Sequence, residues 1–167
     1  HTREGPASWT LESVNRGEFL APGEVLALPQ YRDLFSADAL AAGVRLEVGT
    51  QTILFTDVVG STQMYRELGD ERAFLIVHEH FQTLFGLVEG GGGVVIKTLG
   101  DSVMAAFGRC DAALDTALKI QQFLGADGPV AVRVSLNRGP CLAVNLNTGL
   151  DYFGSVVNTS AKLQYLA

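Results

Sequence analysis

The sequence predicts an α+β domain whose strands and helices follow in the order β-α-β-β-α-β. Three observations predict it: an apolar run that ends at Asp57, two short apolar runs joined by a tight turn at Gly100, and amphipathic stretches between the strands. This order is the ferredoxin-like one, and we expect an antiparallel-containing sheet with its helices on one face. Because that fold hosts many activities, the function has to come from particular residues.

The first strand and the helices after it come from residues 51–90. Residues 51–57 are predicted to form a buried strand, Gly60 permits a tight turn, and Ser61 is expected to cap a helix. Gly69 breaks that helix, and Asp70 is expected to cap the next one. Apolar residues at helical spacing predict the buried side of these helices: Met64, Tyr65, Leu68, Phe74, Val77, His78, Phe81, Leu84, Phe85 and Val88.

The second half of the domain begins after four glycines, residues 90–93, which we expect to be a flexible connection. Residues 94–98 and 102–107 form a predicted hairpin with its bend at Gly100. An amphipathic helix is predicted over 110–124, with Ala113, Leu114, Ala117, Leu118 and Phe123 on its apolar side. Two further strands are expected at 130–137 and 141–147, around Gly139-Pro140, followed by a helix over 154–166.

Length and composition favour one domain of ordinary size. The chain has 167 residues, of which 47% are hydrophobic, so it can bury a core without disulfide bonds. Its formal net charge is -6, which argues against nonspecific binding to nucleic acid. No apolar stretch is long enough to cross a membrane. Cys110 and Cys141 lie far apart, and we interpret both as buried thiols in the reducing compartment of the cytoplasm.

Residues 1–45 lack the regular pattern of apolar residues that the rest of the sequence shows. Breakers occur at residues 4–6 and 21–23, and the apolar residues between Gly23 and Leu40 fit one or two short helices interrupted by Pro29. We interpret this segment as the tail of an upstream regulatory region followed by a helical linker. Residues 46–167 then form the second unit. Since the first residue is His1, we expect the chain to be a fragment of a longer protein.

Two acidic residues carry most of the chemical information. Asp57 ends the first apolar run, and Asp101 lies between the two strands of the hairpin. A carboxylate at the tip of a buried strand is costly unless a cation compensates it, so the pair suggests a shared divalent metal site. The alternative interpretations are a helix cap for Asp57 and an ordinary turn residue for Asp101.

Three blocks of residues resemble the signature blocks of class III nucleotidyl cyclases. They are FTDVVGST at residues 55–62, KTLGDSVMA at 97–105 and DYFGSVVN at 151–158. Each block alone is weak, but the three occur in the family's order, and the resemblance runs from about Leu46 to the end of the chain. It implies a ferredoxin-like catalytic domain that cyclises a nucleoside triphosphate.

The resemblance implies roles for the first two blocks. Asp57 and Asp101, with the carbonyl of Val58, would hold two divalent ions, Mg2+ or Mn2+, which prefer oxygen ligands and phosphates. The backbone amides at the following helix start would bind triphosphate oxygens. Those amides run from Val59 to Thr62, and Gly60, Ser61 and Thr62 are the expected substrate-binding residues among them.

The remaining site residues are implied in the same way. Lys97 and Asp151 would read adenine, because a Lys donor and an Asp acceptor match its ring nitrogen and amino group. The substrate expected is therefore ATP, with cyclic AMP and pyrophosphate as products. Asn158 would orient the ribose. The family has an Arg four residues later, and Lys162 stands there instead, which keeps the charge but loses the bidentate fork.

The resemblance also implies an assembly. Family members build each site between two chains, and this chain holds both sets of residues, so a symmetric homodimer with two sites is expected. The family usually continues with further strands and a phosphate-binding Lys beyond the position of Ala167, so part of the domain is expected to be missing. Two alternatives stay open: a degenerate domain that binds nucleotide or only dimerises, and a guanylate cyclase.

Overall fold

The structure is a computed structural model that describes residues 45–124, 130–146 and 149–166, together with the single position Val25. The expected helical linker before residue 45 therefore lies almost entirely outside the described residues. Within them, five strands and four helices follow one another. They are β1 (Arg45–Val58), α1 (Ser61–Leu68), α2 (Asp70–Gly90), β2 (Val94–Leu99), β3 (Ser102–Phe107), α3 (Cys110–Leu124), β4 (Val132–Leu146), β5 (Gly149–Phe153) and α4 (Ser155–Leu163), then a 3-10 turn at Gln164–Leu166.

The sheet has the order β2-β3-β1-β4-β5, and every neighbouring pair is antiparallel. The first four strands have the ferredoxin-like order, which confirms the predicted fold class. β5 extends the sheet beyond β4. No helix in the part of the chain that the structure describes has both the length and the apolar character needed to cross a bilayer.

The pairing of β1 with β4 is the longest in the sheet. It runs from Arg45 opposite Val144 to Val58 opposite Val132, with one register shift near Gly49. The expected break into two strands around Gly139-Pro140 is wrong, because β4 continues through both residues. Proline is tolerated where a strand has an open edge, and β5 is paired with β4 only from Leu142 onward.

The sheet curls until its two edge strands meet. β2 and β5 stand at opposite ends of the strand order, yet they contact each other. The curl gives the sheet two distinct faces, because successive side chains of a strand point to opposite sides. Ile53 and Phe55 face one core cluster, and Leu54 faces the other.

The two core helices lie on one face, as predicted. Buried residues of α2 and α3, including Leu84, Val88 and Ile120, pack with Leu54 on that side. The sequence did not predict a helix on the opposite face. α4 lies there, and its Val156 packs in the core cluster that contains Ile53 and Phe55.

The buried sides of α2 and α3 that helical spacing predicts are partly wrong. Phe74 is 59% exposed and stacks on the ring of His78, whereas the neighbouring face of α2 is buried. Leu114, Leu118 and Phe123 of α3 are likewise exposed. The predicted burial of both cysteines is wrong for Cys110, which is exposed at the start of α3, whereas Cys141 is buried. Each helix carries apolar residues on two adjoining faces, so the period cannot choose between them. The buried residues are Ala73, Val77, His80, Leu84 and Val88 in α2, and Ala113, Thr116, Ala117, Ile120 and Leu124 in α3.

Neither of the expected side-chain caps forms. α1 begins at Ser61 with Gly60 as its N-cap, and α2 begins at Asp70 with Gly69 as its N-cap, without a capping hydrogen bond from a side chain. Both glycines have φ above +70°, a conformation that L side chains rarely adopt. Asp70 still favours its helix, since a carboxylate in the first turn interacts well with the helix dipole.

The glycines after α2 are packed in place. A Cβ atom on Gly91 would overlap the Thr116 hydroxyl, and one on Gly93 would overlap the ring of Phe107. Gly92 has φ +76°. The segment therefore lets β2 start close against β3 and α3, and we interpret it as a packing element, which differs from the flexible connection that the sequence predicted.

We expect Gly93→Ala to destabilise the domain by about 1–3 kcal/mol, the usual range for overpacking. The matched control is Gly86→Ala, at a position in α2 where a Cβ meets no atom within 4 Å. The unfolding free energy of that variant should rise by up to about 1 kcal/mol, because alanine has a higher helix propensity than glycine. Urea unfolding of both variants measures the difference, and equal stabilities would contradict the packing interpretation.

His80 is a titratable side chain inside this core. It is 5% exposed, and neither ring nitrogen has a hydrogen-bond partner among the described residues. Burial lowers the pKa of His80, and the nearby negative charge of Asp101 raises it in part. Since the neutral form is favoured in the folded state, stability is fully present above the ordinary pKa of 6.5 and is lost as the pH falls below it.

We expect His80→Leu to reduce the acid sensitivity of folding. Between about pH 7.5 and about pH 5.5, the wild type should lose more unfolding free energy than the variant, because only its folded state resists protonation at this position. Urea titrations at the two pH values measure both losses. Identical losses of unfolding free energy in the two proteins would mean that His80 does not contribute to the acid sensitivity.

Candidate active site

Asp57 is the next-to-last residue of β1, and its carboxylate has two partners. The Ser102 hydroxyl donates to Oδ1 at 2.8 Å, and the Arg133 guanidinium lies 3.2 Å from Oδ2. Ser102 begins β3 and Arg133 belongs to β4, so the two strands that flank β1 both reach this carboxylate. Asp57 is thus a strand residue held on both sides, and it does not cap a helix.

Asp101 lies in the hairpin turn between β2 and β3, beside Ser102. Gly100 has φ +65°, which makes the tight turn possible, as the sequence indicated. Oδ2 of Asp101 is buried without a hydrogen-bond partner among the described residues. The residue next to Asp101 contacts Asp57, so the hairpin and the end of β1 bring these two acidic residues to the same edge of the sheet.

The acidic pair fits the chemistry of a hard divalent ion. Within residues 45–124, 130–146 and 149–166, no group of three or more His, Cys, Asp and Glu side chains converges on one point. Mg2+ needs no such cage, because it commonly takes one or two carboxylates and completes its shell with phosphates and water. A cation at this point would compensate Oδ2 of Asp101, which is buried without a hydrogen-bond partner among the described residues.

A cavity of about 650 Å³ opens beside this edge. Ser61 and Thr62, at the start of α1, line it together with Gly100 and Asp101. The first amides of a helix have no acceptor inside the helix, so they can donate to an anion in the cavity. The amide of Val59 cannot, because it donates to the Ala131 carbonyl at 2.9 Å.

Lys97 and Asp151 form an ion pair across the two edges of the curled sheet. Nζ of Lys97 lies 2.5 Å from Oδ2 of Asp151 and 6.0 Å from the centre of the Phe153 ring. The backbone amide of Tyr152 donates to the other oxygen of Asp151 at 2.8 Å. Lys97 comes from β2 and Asp151 from β5, and contact between these strands brings the two predicted residues together.

Asn158 and Lys162 lie one turn apart on α4 and are both exposed. They line a second cavity, of about 460 Å³, with Leu99 and Ser102 among its other lining residues. The predicted common face of the helix is therefore present. Asn158 and Lys162 do not line the 650 Å³ cavity, but both cavities border the β2–β3 turn. Ser102, which donates to Asp57, lines the 460 Å³ cavity.

Sequence analysis did not predict two arginines of the site. The first, Arg133, lies opposite Asp57 in the register of β1 with β4, and no local pattern in the sequence indicates that pairing. Arg66 lines the 650 Å³ cavity from α1. The spacing of four residues between Thr62 and Arg66 was the available signal, because it places both on one face of the helix.

Comparisons with known proteins identify the family of the chain. A family model described as the adenylate and guanylate cyclase catalytic domain matches residues 45–167. An uncharacterized protein of Mycobacterium tuberculosis is 31% identical over 155 residues, which cover 92% of this chain and 50% of that protein. An adenylate cyclase of Streptomyces coelicolor is 32% identical over 124 residues, covering 74% of this chain and 30% of the relative. The chain thus spans half or less of these relatives.

Solved structures share the fold. The adenylyl cyclase CyaB from P. aeruginosa superposes with a TM-score of 0.64 at 23% identity, covering 74% of each chain. The catalytic core of a rhodopsin-guanylyl cyclase with converted specificity, in complex with ATPαS, gives a TM-score of 0.65 at 22% identity, covering 74% of this chain and 75% of that one. At these identities the likeness establishes the architecture.

Proposed function

The chain belongs to the adenylate and guanylate cyclase catalytic domain family, and from this premise we propose that it is an adenylate cyclase. The reaction joins the ribose 3′-oxygen of ATP to the α-phosphorus and breaks the bond from that phosphorus to the bridging oxygen of the β-phosphate. Cyclic AMP and pyrophosphate result, and the hydroxyl proton is lost to solvent.

The observation that carries the choice of ATP is the pair of Lys97 and Asp151. Their ion pair leaves two ammonium hydrogens and several carboxylate lone pairs available. Lys97 would donate to the ring nitrogen of adenine, and Asp151 would accept from its amino group. Guanine presents the opposite pattern at that edge, so the same pair would leave its groups unmatched. An unmatched buried polar group can cost about 1–3 kcal/mol.

The metal-binding residues in this proposal are Asp57, Asp101 and the carbonyl of Val58. Bound there, two divalent ions, Mg2+ or Mn2+, would supply positive charge against the triphosphate and the reacting oxygens. The chain's own part is positioning: Ser102 fixes one oxygen of Asp57, and Arg133 compensates its charge.

Binding of the nucleotide is divided among the remaining residues. The amides of Gly60, Ser61 and Thr62 would donate to the phosphates, Asn158 would orient the ribose, and Lys162 would face the charge that develops on the phosphoryl group. As the family resemblance implies, we propose a homodimer in which each site takes the metal-binding residues from one partner and the base-reading and ribose-binding residues from the other. We further propose that residues 46–167 are the catalytic unit of a cytoplasmic protein, and that residues 1–45 connect it to an upstream regulatory region.

A product assay with ATP and GTP in parallel, each with Mg2+ and with Mn2+, tests the proposal. We expect cyclic AMP in clear excess over cyclic GMP. Asp57→Asn should lower turnover by at least about 100-fold, because even outer partners of a metal site are worth about 10–100-fold. Asp115→Asn, an exposed carboxylate on α3, is the control and should keep full activity. Predominant cyclic GMP would favour a guanylate cyclase.

We expect Lys162→Arg to raise turnover by about tenfold, because the guanidinium can bind two phosphate oxygens at once. Lys119→Arg, an exposed position on α3, is the matched control. The initial rate of cyclic AMP formation at saturating ATP measures the effect. An unchanged rate in Lys162→Arg would contradict the assignment of Lys162 to the reacting centre. Binding of ATP without product in either form would favour a degenerate domain, the alternative that Lys162 itself suggests.

A further inference from the structure

Arg66 is a cationic side chain of the 650 Å³ cavity, and the proposed mechanism assigns it no function. It lies in the last turn of α1, and its side chain lines the cavity together with Ser61 and Thr62. Thr62 and Arg66 are four residues apart, so the amide end of the helix and the guanidinium face the same space. Gly100 and Asp101 form the opposite side of that space.

The charges around the cavity leave Arg66 available. Two carboxylates, Asp70 and Asp101, and one cation, Arg66, belong to its lining. No salt bridge or hydrogen bond joins Arg66 to another described residue, although Asp70 lines the same cavity. By contrast, Arg133 is engaged with Asp57 and Arg109 is engaged with Asp111.

A polyphosphate would need such a group. A triphosphate brings about four negative charges, and Asp57 and Asp101 add two more. Two divalent ions would neutralise about four of these six charges, so about two negative charges remain for the helix amides and a further cation. An arginine can bind two phosphate oxygens in one plane, and hydrogen bonds between charged partners are about twice as strong as neutral ones.

We propose that Arg66 binds the β- and γ-phosphates of the nucleotide, and therefore the pyrophosphate product. The inference rests on the proposed function for the identity of the ligand, and its chemical class is a condensed phosphate. Arg66 acts as a binding residue at the end of the substrate away from the base. Its loss should weaken ligands that carry a pyrophosphate group and leave the nucleoside monophosphate part unaffected.

A simpler role for Arg66 predicts something else. A cation in the last turn of a helix interacts favourably with the helix dipole, and this alone is worth about 0.3–1 kcal/mol of stability. Such a role would change the melting temperature of Arg66→Ala without a selective change in ligand affinity. The test therefore has to compare two ligands on the same variant.

The experiment is calorimetric titration of the whole chain with inorganic pyrophosphate and with AMP, each in the presence of Mn2+. Arg66→Ala should raise the dissociation constant for pyrophosphate by about tenfold or more and change that for AMP by less than about twofold. Arg66→Lys should recover part of the loss. Arg72→Ala is the control, since Arg72 is an exposed arginine on α2 outside the cavity lining.

Several outcomes would overturn the proposal: no pyrophosphate binding by the wild type, an unchanged constant in Arg66→Ala, or equal losses for pyrophosphate and AMP. Failure of the proposed function is visible separately. If the wild type forms no cyclic nucleotide but Arg66→Ala selectively loses pyrophosphate, a condensed-phosphate site stands and the cyclase activity does not. If cyclic AMP forms and Arg66→Ala binds pyrophosphate normally, only the role of Arg66 fails.

Discussion

The long antiparallel pairing of β1 with β4 is the constraint on which the rest of the structure depends. It continues to the last residue of β1, and so it sets Arg133 opposite Asp57 and brings the Ala131 carbonyl to the amide of Val59. A shift of one residue would turn every side chain of β1 to the other face. Ile53 would then leave one core cluster and Leu54 the other, so the burial of the core and the placement of Asp57 are fixed by the same register.

The curl of the sheet has a comparable consequence for the other half of the site. A flat five-stranded sheet would hold β2 and β5 about 19 Å apart, four strand spacings. Instead they touch, and Lys97 and Asp151 form an ion pair. In a partly buried ion pair, the cost of desolvation offsets much of the attraction. We therefore attribute the closure mainly to the apolar cluster inside the curl, where Tyr152 of β5 packs with Met104 of β3.

Sequence reasoning recovered the parts of the fold that depend on local signals. The hairpin at Gly100 and the helix over 110–124 follow from turn chemistry and apolar period, and the structure contains both. The continuity of β4 through Pro140 could not be predicted, because it depends on where β5 stops pairing. Likewise, the roles of the residues flanking Asp57 depend on the order of strands in the sheet, which no local pattern contains.

The β2–β3 turn joins the two halves of the candidate site. Asp101 of this turn lines the 650 Å³ cavity together with the start of α1. Ser102, the next residue, donates to Asp57 and lines the 460 Å³ cavity together with Asn158 and Lys162 of α4. The geometry of one hairpin turn therefore fixes both the acidic residues and the side of the site that α4 contributes. No single motif of the sequence contains this link, because the three signature blocks are far apart along the chain and meet only through the pairing of β3 with β1.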